Sequence, residues 1–303
     1  MRLIVVVGPT ATGKSDLAMA LARAHDGEIV NADAMQLYRG LDVGTAKATS
    51  AERAEVPHHL LDVLDVTETA SVAAYQRAAR AAVERVLATG RTPVLVGGSG
   101  LYVQAVVDEL EFPGTDPALR AELAAELDRV GSAALHARLA TVDPAAAAAV
   151  LPTNGRRIVR ALEVIALTGR PFAARLPEAV APRYDAVLLG VDRPTAELDL
   201  RIARRVARMF AAGLVAETRG LLPGLRDGQT AARALGYQQV LAALETGELE
   251  AAAADTVIAT RRFVRRQRSW FRRDRRIVWL TSEKSDASDV VGRAEAAITA
   301  SVR

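Results

Sequence analysis

Six short apolar runs closed by turn residues punctuate this chain: Leu3–Val7, Glu28–Asn31, His59–Val63, Pro93–Val96, Ala186–Val191 and Ile277–Leu280. Runs this short and this uniformly apolar fit strands buried on both faces of a parallel sheet. Between them lie stretches with helical character, Ser15–His25, Val72–Thr89 and Ala196–Leu222. Strand and helix alternate, which predicts a doubly wound parallel β-sheet flanked by helices, an α/β fold. The rhythm fails between Glu109 and Pro182. That interval carries the helical patterns Pro117–Val130, Ser132–Leu139, Pro144–Val150 and Gly155–Thr168, and no convincing strand. It reads as an inserted all-helical domain, residues 109–182, whose ends return to a core made of 1–108 and 183–303. After Val191 the chain is again largely helical, with turns at Leu222–Gly228 and Gly247.

The first run feeds into Gly8-Pro9-Thr10-Ala11-Thr12-Gly13-Lys14-Ser15, which fits Gly-x-x-x-x-Gly-Lys-Ser without a gap. Strand, glycine loop and helix in that order form the setting in which this P-loop motif has a mechanism. Gly8 and Gly13 let the backbone wrap so that N–H groups converge on phosphate oxygens. Lys14 adds a point charge, Ser15 offers a hydroxyl to Mg²⁺, and the helix N-terminus adds its dipole. A di- or triphosphate is the expected ligand. The loop alone does not choose between a nucleotide such as ATP and another phosphate compound.

Composition narrows the class. Half of the 303 residues are hydrophobic, as in a globular protein, and the absence of cysteine excludes disulfide scaffolds and Cys-based zinc or iron–sulfur sites. The chain enters its first strand within three residues, which leaves no room for a signal peptide. No apolar run nears the roughly 20 residues of a membrane span, so a cytoplasmic enzyme is expected. The net charge of +3 says little about partners until the clustering of the arginines is considered.

Loops at the carboxyl ends of neighbouring strands gather over one crevice in such a sheet. The second run continues into Asp33-Ala34-Met35-Gln36-Leu37-Tyr38 and on to Lys47, and the fourth into Gly97-Gly98-Ser99-Gly100-Leu101-Tyr102. Asp33 should face the glycine loop, where a carboxylate can serve as general base, Mg²⁺ ligand or simple helix cap. Ser99 would point a hydroxyl into the same space. The strand before Gly97 does not end in the Asp with which NTP-hydrolysing P-loop proteins hold their metal, although Asp62 could substitute. The signal for ATP hydrolysis is weaker than the glycine loop suggests.

Nine arginines fall within the sixteen residues Arg261–Arg276, with Asp274 the only acid. Arg261, Arg265, Arg268 and Arg272 share one helical face by spacing, with Phe263, Val264, Trp270 and Phe271 largely opposite. A solvated face normally mixes signs, so this one reads as a polyanion-binding surface. A second group is Asn154-Gly155-Arg156-Arg157-Ile158-Val159-Arg160, and a third is Arg201, Arg204 and Arg205. Arg201 and Arg205, one turn apart, could clamp a diphosphate. A small-metabolite kinase accounts for the glycine loop and Asp33 but not for these basic surfaces; an enzyme acting on nucleic acid accounts for all of them.

These motifs, in this order, resemble the tRNA dimethylallyltransferases (tRNA isopentenyltransferases). The resemblance covers most of the chain: GPTATGKS, the block from Asp33 to Lys47, Pro57-His58-His59-Leu60-Leu61-Asp62, GGSGLY, NGRRIVRALE, Arg201 through Met209 to Leu214, Ala234-Leu235-Gly236-Tyr237-Gln238, and TRRFVRRQRSWF. It implies a P-loop-type core with a helical insertion, and transfer of a dimethylallyl group from its diphosphate to N6 of an adenosine beside the anticodon. It further implies Asp33 as base, Ser99 at the departing oxygen, and Gly8 through Ser15 with Arg201 and Arg205 around the diphosphate. Mg²⁺ would sit on Ser15. The tRNA anticodon stem-loop would meet Asp33, Ala34, Met35, Gln36, Ser99, Arg120, Arg156, Arg157, Ile158, Val159, Arg160, Arg261, Arg265, Arg268 and Arg272, with the protein acting as a monomer. Ala34 stands where the family usually has Ser, and Ser99 where Thr is commoner. Prenyl transfer to free adenine nucleotides and an ATP-dependent kinase are the alternative readings.

Overall fold

The computed structural model describes residues 2–172, 182–281 and 287–301. The chain divides into two compact units, Met1–Glu109 with Pro182–Arg303, and Leu110–Ala181. The expected insertion, 109–182, covers the second unit, although positions 173–181 within it lie outside the described residues.

The first unit opens with β1 (Leu3–Val7), α1 (Lys14–Ala24), β2 (Gly27–Asn31), α2 (Ser50–Glu55), β3 (His58–His59), α3 (Val72–Ala88), β4 (Thr92–Gly97) and α4 (Gly100–Val107). Between α4 and the next strand, β5, the second unit contributes α5 (Pro117–Val142), α6 (Pro144–Ala149) and α7 (Gly155–Thr168). The first unit then resumes with β5 (Ala186–Asp192), α8 (Thr195–Ala211), α9 (Leu214–Gly220), α10 (Gly224–Asp227), α11 (Tyr237–Thr246), α12 (Leu249–Phe271), β6 (Val278–Thr281) and α13 (Ala287–Ala300).

The six strands form one parallel sheet, as the apolar runs predict, and their order is β3-β2-β4-β1-β5-β6. Every residue of β1 is at most 2% exposed, because helices cover both faces. Leu3, Val5 and Val7 face a cluster with α3 and α4, and Ile4 and Val6 face α1 and α13. Burial of such side chains contributes about 1.5–3 kcal/mol each. Chain order reverses around β1: β2, β3 and β4 lie to one side, β5 and β6 to the other. Register aligns Val7 with Gly97 and Asn31 with Val96, so the glycine loop, the Gly97–Gly100 loop and the Asp33 loop leave the sheet side by side. That is the crevice of a doubly wound sheet.

Three expectations change. The run His59–Val63 pairs only at His58–His59, since Leu60 and Asp62 take φ values of 63° and 58° and the chain curls away. The helix expected over Ala196–Leu222 is two helices, parted at Gly213 with φ 98°. The arginine helix stops at Phe271, which leaves Arg272–Arg276 in a turn before β6. The second unit has its own core of Leu123, Leu135, Leu139, Ile158 and Leu162, and Gly131 at φ 80° breaks α5 where the sequence places a helix boundary.

Candidate active site

Gly8, at φ 141°, fits only without a side chain, because a Cβ there would lie 2.2 Å from the Val191 carbonyl oxygen. Gly13 caps α1 at φ 100° and supplies no side-chain acceptor, so the first N–H groups of the helix stay open to an anion. Three carbonyls of the loop have side-chain partners. Pro9 O accepts from Thr12 Oγ1 and Lys14 Nζ, both at 2.9 Å, Ala11 O from Arg201 Nε at 2.8 Å, and Thr12 O from Arg193 Nε at 2.8 Å. Arg205 donates to Thr45 O at 3.3 Å.

Lys14, Arg201 and Arg205 therefore rest on neutral carbonyls rather than on carboxylates. Burial, and secondly the charge of Arg205, push the Lys14 amine down to about 8, against a smaller upward pull from Asp33. Arg201 and Arg205 are lowered as well, each chiefly by burial. Burial and mutual repulsion of cations grouped in this way favour an anionic partner.

One N–H of the loop does not point at the expected phosphate. Thr10 N–H donates to Gln267 Oε1 at 3.0 Å, and the other end of that amide donates to Gly98 O at 2.9 Å. Gln267, 5% exposed on α12, thus bridges the glycine loop to the Ser99 loop. Sequence reasoning missed it; its one signal is a neutral amide set among arginines.

Asp33 follows β2 and is half-buried; its Oδ1 accepts from Met35 N–H at 2.9 Å in a tight turn. Its charge acts on Lys14 of the glycine loop and on Arg205, Tyr75 and Tyr102. Ser99 Oγ accepts from Ala34 N–H at 3.3 Å, so its own O–H remains available for donation. Ala34 therefore meets Ser99 through its backbone, and the missing side-chain hydroxyl is not part of this link. Gln36 Nε2 donates to Thr45 O at 3.2 Å, the same carbonyl that takes Arg205. Met35 packs at the edge of the cluster around Tyr38 and Tyr237.

Asp62 does not substitute for a metal-holding Asp. Its carboxylate is bound by Lys47 at 2.7 Å and Arg53 at 2.6 Å, which hold it below the usual carboxylate range against its burial. The buried acid at the end of β5, Asp192, is taken by Arg268 at 2.8 Å. Among the described residues no group of three His, Asp or Glu could hold a metal. Mg²⁺ commonly keeps several waters and binds through one or two protein ligands plus phosphate oxygens, and the exposed Ser15 in the first turn of α1 fits that mode.

The expected RNA contacts divide. Arg268 leaves the basic face: it is bound to Asp192 and Thr195, and to the carbonyl of Arg193, in a pocket of protein donors and acceptors. Arg265 is exposed, Arg272 is largely exposed and 3.6 Å from Asp192, and Arg261 lies 3.3 Å from Asp199. In the second unit Ile158 and Val159 are core residues at 0% and 6% exposure and present no side chain to an RNA. Arg120 and Arg160 flank the fully buried Glu163 at 2.5 and 2.8 Å, while Arg156 and Arg157 are exposed.

Comparison with known proteins agrees with this architecture. The family model described as IPP transferase matches residues 36–274. A tRNA dimethylallyltransferase of Salinispora arenicola is 64% identical over 304 residues, covering 99% of this chain and 87% of the relative. One from Streptomyces griseus is 61% identical over 306 residues, covering 99% and 97%. The solved full-length tRNA isopentenylpyrophosphate transferase of Bacillus halodurans superposes with a TM-score of 0.74 at 38% identity, covering 99% of this chain and 96% of that one. A eukaryotic dimethylallyltransferase acting on tRNA shares the fold, with a TM-score of 0.82 at 23% identity over 98% of this chain and 78% of that one. The chain belongs to the IPP transferase family, that of the tRNA dimethylallyltransferases.

Proposed function

We propose that this protein transfers a dimethylallyl group from dimethylallyl diphosphate to N6 of the adenosine at tRNA position 37, next to the anticodon. The products are N6-dimethylallyladenosine and diphosphate. The observation that carries this reading is the juxtaposition of Asp33 with cations resting on carbonyls: Lys14 on Pro9, Arg201 on Ala11 and Arg205 on Thr45. A diphosphate entering the loop offers these cations a far stronger acceptor than a neutral carbonyl.

The exocyclic amine of adenine is a poor nucleophile because its lone pair is delocalised. As the new C–N bond forms and the C–O bond to diphosphate breaks, Asp33 accepts the N6 proton. Charge that develops on the departing oxygen meets the N–H groups of residues 11–15, Lys14, Arg201 and Arg205, and the O–H of Ser99 donates to the bridging oxygen. Ser15 would hold Mg²⁺, which would further neutralise the leaving group. The target base is stacked in the anticodon loop and must be turned out to reach Asp33, with Gln36 reading its edge. Arg156 and Arg157 of the insertion and Arg261, Arg265 and Arg272 at α12 hold RNA phosphates. Such an enzyme acts in the cytoplasm, where its tRNA is, and as a monomer.

The test incubates the protein with dimethylallyl diphosphate, Mg²⁺ and tRNA, then digests the RNA and looks for prenylated adenosine. Product is expected, and Asp33→Asn should abolish it while RNA binding stays intact. Full activity in Asp33→Asn removes that residue as base. Consumption of ATP with no prenylated adenosine overturns the reading altogether.

A further inference from the structure

We infer that Asn31 is the positioning residue of this site: it fixes the direction in which Asp33 presents its carboxylate. The inference rests on the reading of Asp33 as base. Asn31 ends β2 and is 2% exposed. Its carboxamide grips Asp33 on both sides of the peptide. Oδ1 accepts from Asp33 N–H at 2.9 Å, and Nδ2 donates to Asp33 O at 3.0 Å. The second Nδ2 hydrogen goes to Leu60 O at 3.0 Å, which ties in the loop that curls away after β3. The backbone carbonyl of Asn31 accepts from Tyr75 OH at 2.9 Å, so α3 anchors the same point.

These bonds leave residue 33 little freedom. Its N–H and C=O are both held by one buried side chain, and its Oδ1 is held by Met35 N–H. In this reading the other carboxylate oxygen is the one that takes the N6 proton. Ala32, between them, has no polar side chain and is fully buried, so the restraint runs through Asn31. None of these bonds touches the glycine loop, whose Pro9, Ala11 and Thr12 carbonyls and Thr10 N–H are held by Thr12, Lys14, Arg193, Arg201 and Gln267. Loss of Asn31 should therefore disturb proton transfer and leave donor binding in place.

Steady-state kinetics with dimethylallyl diphosphate and tRNA, beside binding of inorganic diphosphate, separate the two. Asn31→Ala is expected to lower kcat about 10- to 100-fold, the scale of a misplaced catalytic group, with the KM for the donor and the Kd for diphosphate within about 2-fold of wild type. Asn31→Ser keeps an acceptor for Asp33 N–H and should fall between the two. A kcat within about 3-fold of wild type in Asn31→Ala overturns the inference. So does a rise of donor KM and diphosphate Kd in step with the lost kcat, the pattern of a generally loosened fold. Asp33→Asn run alongside keeps the two claims apart: if it is inactive while Asn31→Ala is normal, only the positioning role fails. If it turns over fully, the base assignment fails and the positioning role with it.

Discussion

At the scale of the residue, Lys14 carries two opposite pH dependences. Its amine sits near 8 in the folded protein, below the ordinary 10.5, because burial and Arg205 disfavour the charge. Between those values the unfolded chain holds a proton that the folded chain has lost, so this group makes stability rise with pH there. Diphosphate needs the charged form, and its affinity should fall as pH rises past 8. A bound polyanion raises the lysine again, so binding above pH 8 takes up a proton. Calorimetry of diphosphate binding in two buffers of different ionisation heat reads that uptake directly. Lys14→Arg, charged throughout, should lack both the uptake and the limb, whatever its absolute affinity. An unchanged limb in that variant would assign it to another group.

At the scale of the element, α12 does two jobs that its sequence pattern does not separate. Val264, Gln267 and Phe271 are its buried side near the C-terminus, and Arg265 is exposed on the other. Gln267→Leu removes partners from Thr10 N–H and Gly98 O, two groups at the mouth of the crevice. Leaving buried polar groups unmet should cost about 2 kcal/mol in urea unfolding, and the donor KM should rise because both loops loosen. A stability loss with an unaltered KM would make the bridge purely structural. The sheet was legible from apolar runs because parallel strands buried on both faces leave little else for the pattern to mean. The glycine loop and Asp33 were legible because each follows a strand at fixed spacing. Gln267 and Asn31 were not, since their partners are set by side-chain reach after the sheet has formed: Gln267 meets Thr10 across 257 residues. The end of β3 differs from expectation for a similar reason, whereas the helix after β5 is parted locally by Gly213. Local apolarity continues through Leu60-Leu61, but the pull of Lys47 and Arg53 on Asp62 turns the chain out of the sheet.

At the scale of the whole molecule, a net charge of +3 hides how the arginines are spent. Several of those that clustering marks as an RNA surface neutralise acids of the fold instead. Arg268 and Asp192 have side chains only 13% and 8% exposed, and Arg276 joins Asp108 and Asp274 at 2.5 and 2.6 Å. Among the described residues Arg265 has no buried acid as partner, and it is exposed. Counterion release separates the two classes. Each RNA phosphate neutralised by a cation adds about 0.7–0.9 to the slope of log affinity against log salt. Binding of an anticodon stem-loop should weaken steeply with salt, and Arg265→Ala should lower that slope by roughly one contact. Arg268→Met should leave the slope as it is and lower stability by about 3 kcal/mol, because Asp192 keeps its burial and loses its nearest cation. Filter binding at four salt concentrations with a thermal melt of each variant decides the matter. If Arg268→Met flattens the slope and melts like wild type, the internal ion pair is not its role, and the basic face extends as far as the sequence pattern suggests.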